Sequence, residues 1–208
     1  MKLLEIFKGT GSVGKVAKKL GYNVISLDYD EKFKPDIHTD ILKWNYKKFV
    51  KDTGFIPDFI WASPPCNTFS AMVYPLRERN PQTAEPYSDR AKLGTKILYK
   101  TLTIINYFKK LNPKLKYTIE NPRGMMRFDK RMKKLPNLET TAYCLYGDIK
   151  YKPTDFWSNF KMNLKPVIPP SGCKHEPITA LKLTQRYSIP GKLIKQILTQ
   201  SKKNKIIK

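Results

Sequence analysis

The side chain in this sequence that is best suited to forming a covalent bond is the thiol of Cys66, one of three cysteines among 208 residues. It follows an apolar run, Asp58–Ala62, that predicts a buried strand, and two prolines, Pro64 and Pro65, that stiffen the turn. The carboxyl end of a strand in an open α/β sheet borders the crevice where such sheets bind ligands. We therefore predict that Cys66 is a nucleophile. The competing interpretation of a lone cysteine is a small buried hydrophobe.

A carboxyl group ends another predicted strand, Tyr117–Glu120, and is followed by Asn121 and Pro122. In a parallel sheet Glu120 would lie at the same edge as Cys66. A thiolate can add to carbon 6 of a pyrimidine while an acid hydrogen-bonds or protonates ring nitrogen 3. Carbon 5 then becomes nucleophilic enough to accept a methyl group from a sulfonium donor. The pair therefore favours group transfer to a pyrimidine ring, although a glutamate before asparagine and proline is also typical of a turn.

A glycine-rich turn near the N-terminus predicts a nucleotide-type cofactor site. The triplet Gly-Thr-Gly at 9–11 follows a predicted strand and precedes a predicted helix, so the backbone can approach a ligand closely. Asp28 ends the next strand, where an acid can hold a ribose diol. Asp40 follows a further short extended stretch and could accept a hydrogen bond from an adenine amino group. The lysine–hydroxyl pair of a phosphate loop is missing here, which disfavours a nucleoside triphosphate.

Strands and helix-like segments alternate along the chain, which predicts an α/β fold with a mostly parallel sheet flanked by helices. The absence of repeats and linkers favours a single domain, residues 1–208. The predicted strands are Leu3–Phe7, Asn23–Leu27, Asp58–Ala62, Tyr117–Glu120, Thr141–Leu145 and Thr154–Trp157, and the predicted helices are Val13–Leu20, Ala91–Leu111 and Gly191–Thr199.

The segment 67–90 interrupts this alternation with three prolines and no clear periodicity. Loops of that length inside compact domains are usually functional or mobile. Because it begins beside Cys66, we predict that it is an active-site lid.

The formal charge of +23 favours a polyanionic partner, with nucleic acid first and an anionic membrane surface second. A lysine-rich composition is the competing explanation of that charge. The segment 201–208 is predicted to be a basic tail. No apolar run is long enough to span a bilayer, and the N-terminus does not resemble a secretory signal. Scattered cysteines fit a reducing compartment, so we expect an intracellular, soluble protein. Cys173 and His175 offer two ligands only, and we predict no metal site.

These motifs together resemble those of the cytosine-5 DNA methyltransferases. Residues 7–11 (Phe-Lys-Gly-Thr-Gly) are similar to the family's cofactor turn, residues 64–70 (Pro-Pro-Cys-Asn-Thr-Phe-Ser) to its nucleophile motif, and residues 120–122 (Glu-Asn-Pro) to its base-holding acid motif. The resemblance implies a class I, Rossmann-like methyltransferase fold and S-adenosylmethionine as cofactor. It also implies DNA as partner, with the target base flipped out of the helix.

The resemblance also implies individual roles. Cys66 would be the covalent nucleophile, Glu120 would hold nitrogen 3 and the exocyclic amine, and Lys152, in a late strand motif, would point into the pocket. A surface lysine is the alternative for Lys152. The residues implied to line the cofactor are Phe7, Gly9, Thr10, Gly11, Asp28, Tyr29, Asp40, Ile41, Pro65, Tyr187 and Ser188.

Three features depart from the family pattern. Asn67 replaces the usual glutamine after the nucleophile, and Pro122 replaces the usual valine after the acid and asparagine. The segment 158–183 is shorter than a target-recognition domain, which implies relaxed site choice through phosphate contacts. Compact forms of this kind are similar to enzymes of phages and other viruses, which would place the protein in the cytoplasm or nucleus of a host cell.

Two alternatives to DNA methylation stay open, namely methylation of cytosine in RNA and a catalytically inactive protein that binds nucleic acid. A monomer is favoured. Enzymes that methylate exocyclic amino groups use an Asp/Ser/Asn-Pro-Pro-aromatic tetrad and need no thiol, so that activity is disfavoured.

Overall fold

The computed structural model describes residues 1–167, 176 and 180–207. Within these ranges, seven strands form one sheet in the order β3-β2-β1-β4-β5-β7-β6. The strands are β1 (Lys2–Ile6), β2 (Asn23–Asp28), β3 (Ile37–His38), β4 (Phe59–Ala62), β5 (Lys116–Pro122), β6 (Asn137–Ala142) and β7 (Pro153–Ser158).

Strands β1 to β5 pair in parallel, and β7 is antiparallel to both of its neighbours, β5 and β6. Every residue of β4 is buried, as is typical of a parallel strand that is covered on both faces. The expected mostly parallel sheet is confirmed.

The helices are α1 (Ser12–Lys19), α2 (Tyr46–Thr53), α3 (Asp89–Leu111), α4 (Leu183–Tyr187) and α5 (Gly191–Lys203). They cover both faces of the sheet, and successive strand residues point to opposite faces. On one face, Leu3 packs in a cluster with residues of α1 and α5, including Val13 and Leu193. On the other face, Leu4 packs in a cluster with residues of α3, including Leu98.

The structure corrects two strand predictions. The predicted strand Thr141–Leu145 overlaps β6 only at its first two residues, because β6 runs from Asn137 to Ala142, which pairs with Pro153, and residues 143–146 form a 3₁₀ turn. Glu120 does not end its strand, because β5 continues to Pro122 through pairing with β7. Helices α2 and α4 are elements that the sequence patterns did not predict.

In the described part of the chain, no helix is both long enough and apolar enough to cross a membrane. The same residues contain no group of three or more His, Cys, Asp and Glu side chains placed to hold a metal ion. Cys173 and His175 lie outside the described residues, as does much of the segment 158–183.

Candidate active site

A cavity of about 700 Å³ opens at the carboxyl ends of β1, β2, β4 and β5, where open α/β sheets bind ligands. Twelve of the fourteen site residues predicted from the sequence line it, and Gly11 and Ser188 do not. The twelve are Phe7, Gly9, Thr10, Asp28, Tyr29, Asp40, Ile41, Pro65, Cys66, Glu120, Lys152 and Tyr187.

The glycine-rich turn folds back over the end of β2. Gly9 and Gly11 have φ angles of 48° and 68°, in the left-handed region that favours glycine, and Phe7 has the less common value of 64° for a residue with a side chain. The backbone N–H of Gly9 donates a 2.8 Å hydrogen bond to Oδ2 of Asp28, whose Oδ1 accepts a 2.9 Å bond from the N–H of Asp30. The Asp28 carboxylate is therefore fixed at the cavity wall.

Glu5 is a buried acid in this cavity that the sequence motifs missed. It lies on β1, is 2% exposed, and accepts a 3.1 Å hydrogen bond from the backbone N–H of Gly14. Burial raises the pKa of Glu5 from 4.5 to about 7, against the opposing effects of the Gly14 hydrogen bond and the Lys8 charge. The signal available in the sequence was a single carboxylate within the apolar run of β1.

The turn after β4 presents Cys66 to the cavity. Its carbonyl oxygen accepts hydrogen bonds from the backbone N–H groups of Phe69, at 3.0 Å, and Ser70, at 2.9 Å, which closes a tight turn. Burial raises the pKa of the Cys66 thiol, the charge of Lys152 lowers it, and the charge of Glu120 raises it. The thiol, the carboxyl group and the ammonium group therefore act on one another across the same cavity.

Glu120 is held from behind by Tyr143, a second residue that the motifs missed. The Tyr143 hydroxyl donates a 2.9 Å hydrogen bond to Oε1 of Glu120, and the two side chains are 0% and 5% exposed, respectively. Burial raises the pKa of Tyr143 well above its usual value, with the Glu120 charge as a further cause, so the phenol stays protonated as a donor. The sequence signal was an aromatic residue directly after the end of β6.

The site residues that were predicted late in the chain differ in whether they reach the cavity. The Lys152 ammonium lies in the cavity wall, 5.1 Å from the centroid of the Tyr143 ring. Ser188 lies behind that wall, where its hydroxyl accepts a 3.3 Å hydrogen bond from Nζ of Lys150 and donates one of 2.9 Å to the carbonyl of Gln185. Its neighbour Tyr187 lines the cavity and is half exposed.

The predicted loop 67–90 is anchored at its start. Phe69 is fully buried, and its carbonyl oxygen accepts a 2.7 Å hydrogen bond from the backbone N–H of Met125. A Cβ atom on Gly124 would come within 2.2 Å of that carbonyl oxygen, so the close approach of the two backbones requires glycine. A 3₁₀ helix follows at Ala71–Leu76, and α3 begins at Asp89, two residues before its predicted start.

A second anchor holds the loop near its middle. Arg79 is 2% exposed, and its guanidinium donates hydrogen bonds to the hydroxyls of Thr68 and Thr95 and to the carbonyls of Ala84 and Ala91. Only the stretch 70–78 lies between the two anchors.

Comparison with known proteins places the chain in a family. No family model matches it. A probable DNA (cytosine-5)-methyltransferase of Frog virus 3 is 32% identical over 164 residues, which cover 77% of this chain and 72% of the relative. The chain belongs to the DNA (cytosine-5)-methyltransferase family. Among solved structures, the Dnmt2 methyltransferase of S. pombe matches with a TM-score of 0.50 and 14% identity. That match covers 85% of this chain but only 57% of Dnmt2, and it supports the class I methyltransferase fold.

The two residues of this chain that depart from the family motifs both contact the site. Asn67 and Pro122 line the cavity beside Cys66 and Glu120, respectively. Pro122 also pairs with Thr154 in the sheet, at the antiparallel junction of β5 and β7.

Proposed function

We propose that the protein transfers a methyl group from S-adenosylmethionine to carbon 5 of cytosine in DNA. The observation that supports this most strongly is the meeting of Cys66, Glu120 and Lys152 with the glycine-rich turn in a single cavity. Its volume of about 700 Å³ is within the range of small-molecule sites.

The residues around the glycine-rich turn fit S-adenosylmethionine. Asp28 would hold the ribose, with Asp40 and Ile41 at the adenine, and the turn at Gly9 would leave room for the methionine part. Glu5 adds a buried carboxyl group that faces the same cavity and suits a ligand carrying an ammonium group. When bound, this cofactor supplies an electrophilic methyl group.

The chain's own residues would act on the base in a fixed order. The Cys66 thiolate, favoured by the charge of Lys152, forms a bond to carbon 6 of cytosine, while Glu120 places a proton at ring nitrogen 3. Electron density then moves to carbon 5, which would take the methyl group from the sulfonium sulfur and leave that sulfur as a thioether. Loss of the carbon 5 proton, return of the nitrogen 3 proton to Glu120 and cleavage of the bond between Cys66 and carbon 6 then restore the acid and the thiolate and release 5-methylcytosine.

DNA would be bound chiefly through its phosphates, in keeping with the net charge of +23. The target base must leave the helix to reach Cys66. The loop 67–90 would close over that base, with movement confined to the stretch between the Phe69 and Arg79 anchors. The short segment 158–183 would leave the choice of target sequence relaxed.

The test is methyl transfer from labelled S-adenosylmethionine to duplex DNA and to RNA of the same sequence, followed by nucleoside analysis. The proposal predicts 5-methylcytosine in DNA from the wild type and none from Cys66→Ala. Label in RNA alone, or label recovered as N4-methylcytosine or N6-methyladenine, would contradict it.

A further inference from the structure

We propose that Tyr143 is a positioning residue that fixes the Glu120 carboxyl group for its contact with the cytosine ring. This inference rests on the proposed function. The Tyr143 hydroxyl donates a 2.9 Å hydrogen bond to Oε1 of Glu120. Among the described residues, Tyr143 is the one whose side chain forms a hydrogen bond with the Glu120 carboxyl group. Both side chains are buried.

The Tyr143 ring itself has two ammonium groups close to it. Nζ of Lys150 lies 5.3 Å from the ring centroid and Nζ of Lys152 lies 5.1 Å from it, both within the range of cation–π attraction. Lys150 is 1% exposed and is fixed by Asp148, at 2.6 Å, and by the hydroxyl of Ser188, at 3.3 Å. The phenol therefore has one well-defined position behind Glu120.

A phenol donor at Oε1 decides how the carboxyl group can act. Because Oε1 accepts the hydrogen bond from the Tyr143 hydroxyl, a proton carried by Glu120 is favoured on Oε2, which is the oxygen left to meet ring nitrogen 3. The hydrogen bond also restricts rotation of the carboxyl group, so less orientation has to be gained during the reaction. Since burial raises the pKa of Tyr143 well above its usual value, the phenol donates throughout the neutral pH range.

Tyr146 provides a matched control on the same 3₁₀ turn. It is also buried, and its hydroxyl oxygen accepts a 3.0 Å hydrogen bond from the backbone N–H of Lys165. The partner of Tyr146, Lys165, does not line the cavity, whereas the partner of Tyr143, Glu120, does.

The test is a double-mutant cycle on purified protein with duplex DNA, combining Tyr143→Phe with Glu120→Gln. We expect Tyr143→Phe to lower kcat about 30-fold, because Glu120 becomes charged as it gives its proton to nitrogen 3 and the hydrogen bond that is lost is then one to a charged group. KM for DNA and cofactor should change less than about twofold. In the Glu120→Gln background the same substitution should change kcat less than about twofold. Tyr146→Phe should keep the wild-type kcat.

Equal losses from Tyr143→Phe in both backgrounds, or a wild-type kcat in the single variant, would overturn the positioning role while leaving the proposed function intact. A wild type that forms no 5-methylcytosine in DNA would overturn the proposed function and this inference with it. If Tyr143→Phe does not fold by thermal unfolding, 3-fluorotyrosine at position 143 keeps the ring and hydroxyl but alters the donor strength. It should change kcat in the wild type and not in Glu120→Gln, and no change in either would overturn the inference.

Discussion

The side-chain amide of Asn121 donates a 2.8 Å hydrogen bond to the carbonyl oxygen of Pro64. This bond joins the strand that carries Glu120 to the turn that carries Cys66, two residues beyond Pro64. The Asn121 side chain is 1% exposed, so water cannot readily replace the bond. Cys66 and Glu120 are thus tied to each other through the residue between Glu120 and Pro122.

Asn121→Ala is expected to lower kcat about tenfold and the free energy of unfolding by about 1–3 kcal/mol, because it leaves a buried carbonyl unpaired and loosens the Cys66 turn. Asn112→Ala is the matched control, since Asn112 donates a 3.0 Å bond to the carbonyl of Pro57 at the other end of β4. It should lower stability but not kcat. Equal effects of both variants on kcat would contradict the link.

Lys152→Gln is expected to raise the pKa of the Cys66 thiol further, because the positive charge of Lys152 is the strongest effect that opposes burial and lowers this pKa. The thiolate fraction near pH 8 then falls, and alkylation by iodoacetamide becomes several-fold slower, with its pH profile moved to higher pH. The measurement uses a Cys144→Ser, Cys173→Ser background, so that Cys66 alone reacts.

Lys165→Gln is the control for that experiment, since the Lys165 ammonium also lies over a tyrosine ring, 5.3 Å from the centroid of Tyr146, but away from the cavity. Its profile should match that of the parent. A Lys152→Gln profile that also matched the parent would contradict a role for Lys152 at the thiol.

Glu5→Gln is expected to raise the free energy of unfolding, relative to that of the wild type, by more at pH 8 than at pH 5. The folded-state pKa of about 7 is above the ordinary value of 4.5, so the wild type loses stability as pH rises from 4.5 through 7. The variant cannot ionise and escapes this loss, which is at most about 3 kcal/mol. Urea unfolding at both pH values measures the difference, with the exposed Glu31→Gln as control. If the free energies of unfolding of the wild type and Glu5→Gln differ by the same amount at pH 5 and at pH 8, the raised pKa of Glu5 is contradicted.

Arg79→Ala is expected to release the second half of the loop 67–90, because it removes hydrogen bonds to the hydroxyls of Thr68 and Thr95 and to two backbone carbonyls. Backbone amides of residues 79–86 should exchange with deuterium at least about tenfold faster, as expected for a segment that opens locally. The exposed Arg77→Ala is the control and should leave exchange unchanged. Unchanged exchange in Arg79→Ala would show that other contacts hold this part of the loop.

The sequence predicted the parts of the site whose residue type and position in the chain both carry information. A thiol after two prolines, a carboxyl group on an apolar strand and a glycine-rich turn each have few structural roles, and their order restricted the choice further. The cavity accordingly contains Cys66, Glu120 and Gly9.

Residues that act through distant partners could not be predicted in the same way. Tyr143 meets Glu120, 23 residues away in sequence, because β6 runs in the same direction as β5, with β7 between them, and therefore ends at the same edge of the sheet. Ser188 was expected in the cofactor site from its motif, but Lys150, a buried lysine with no local signature, lies beside it behind the wall. The end of β6 was misplaced because the apolar run continues past Ala142 into the 3₁₀ turn.

Covalent trapping on DNA that contains 5-fluorocytosine tests the central claim most directly. With S-adenosylmethionine present, carbon 5 of the fluorinated base cannot lose a proton, so the bond between Cys66 and carbon 6 should survive denaturation. We predict a trapped adduct from the wild type and from Cys144→Ser, a cysteine outside the cavity, and none from Cys66→Ser. A trapped adduct from Cys66→Ser, or no trapped adduct from the wild type, would contradict the account.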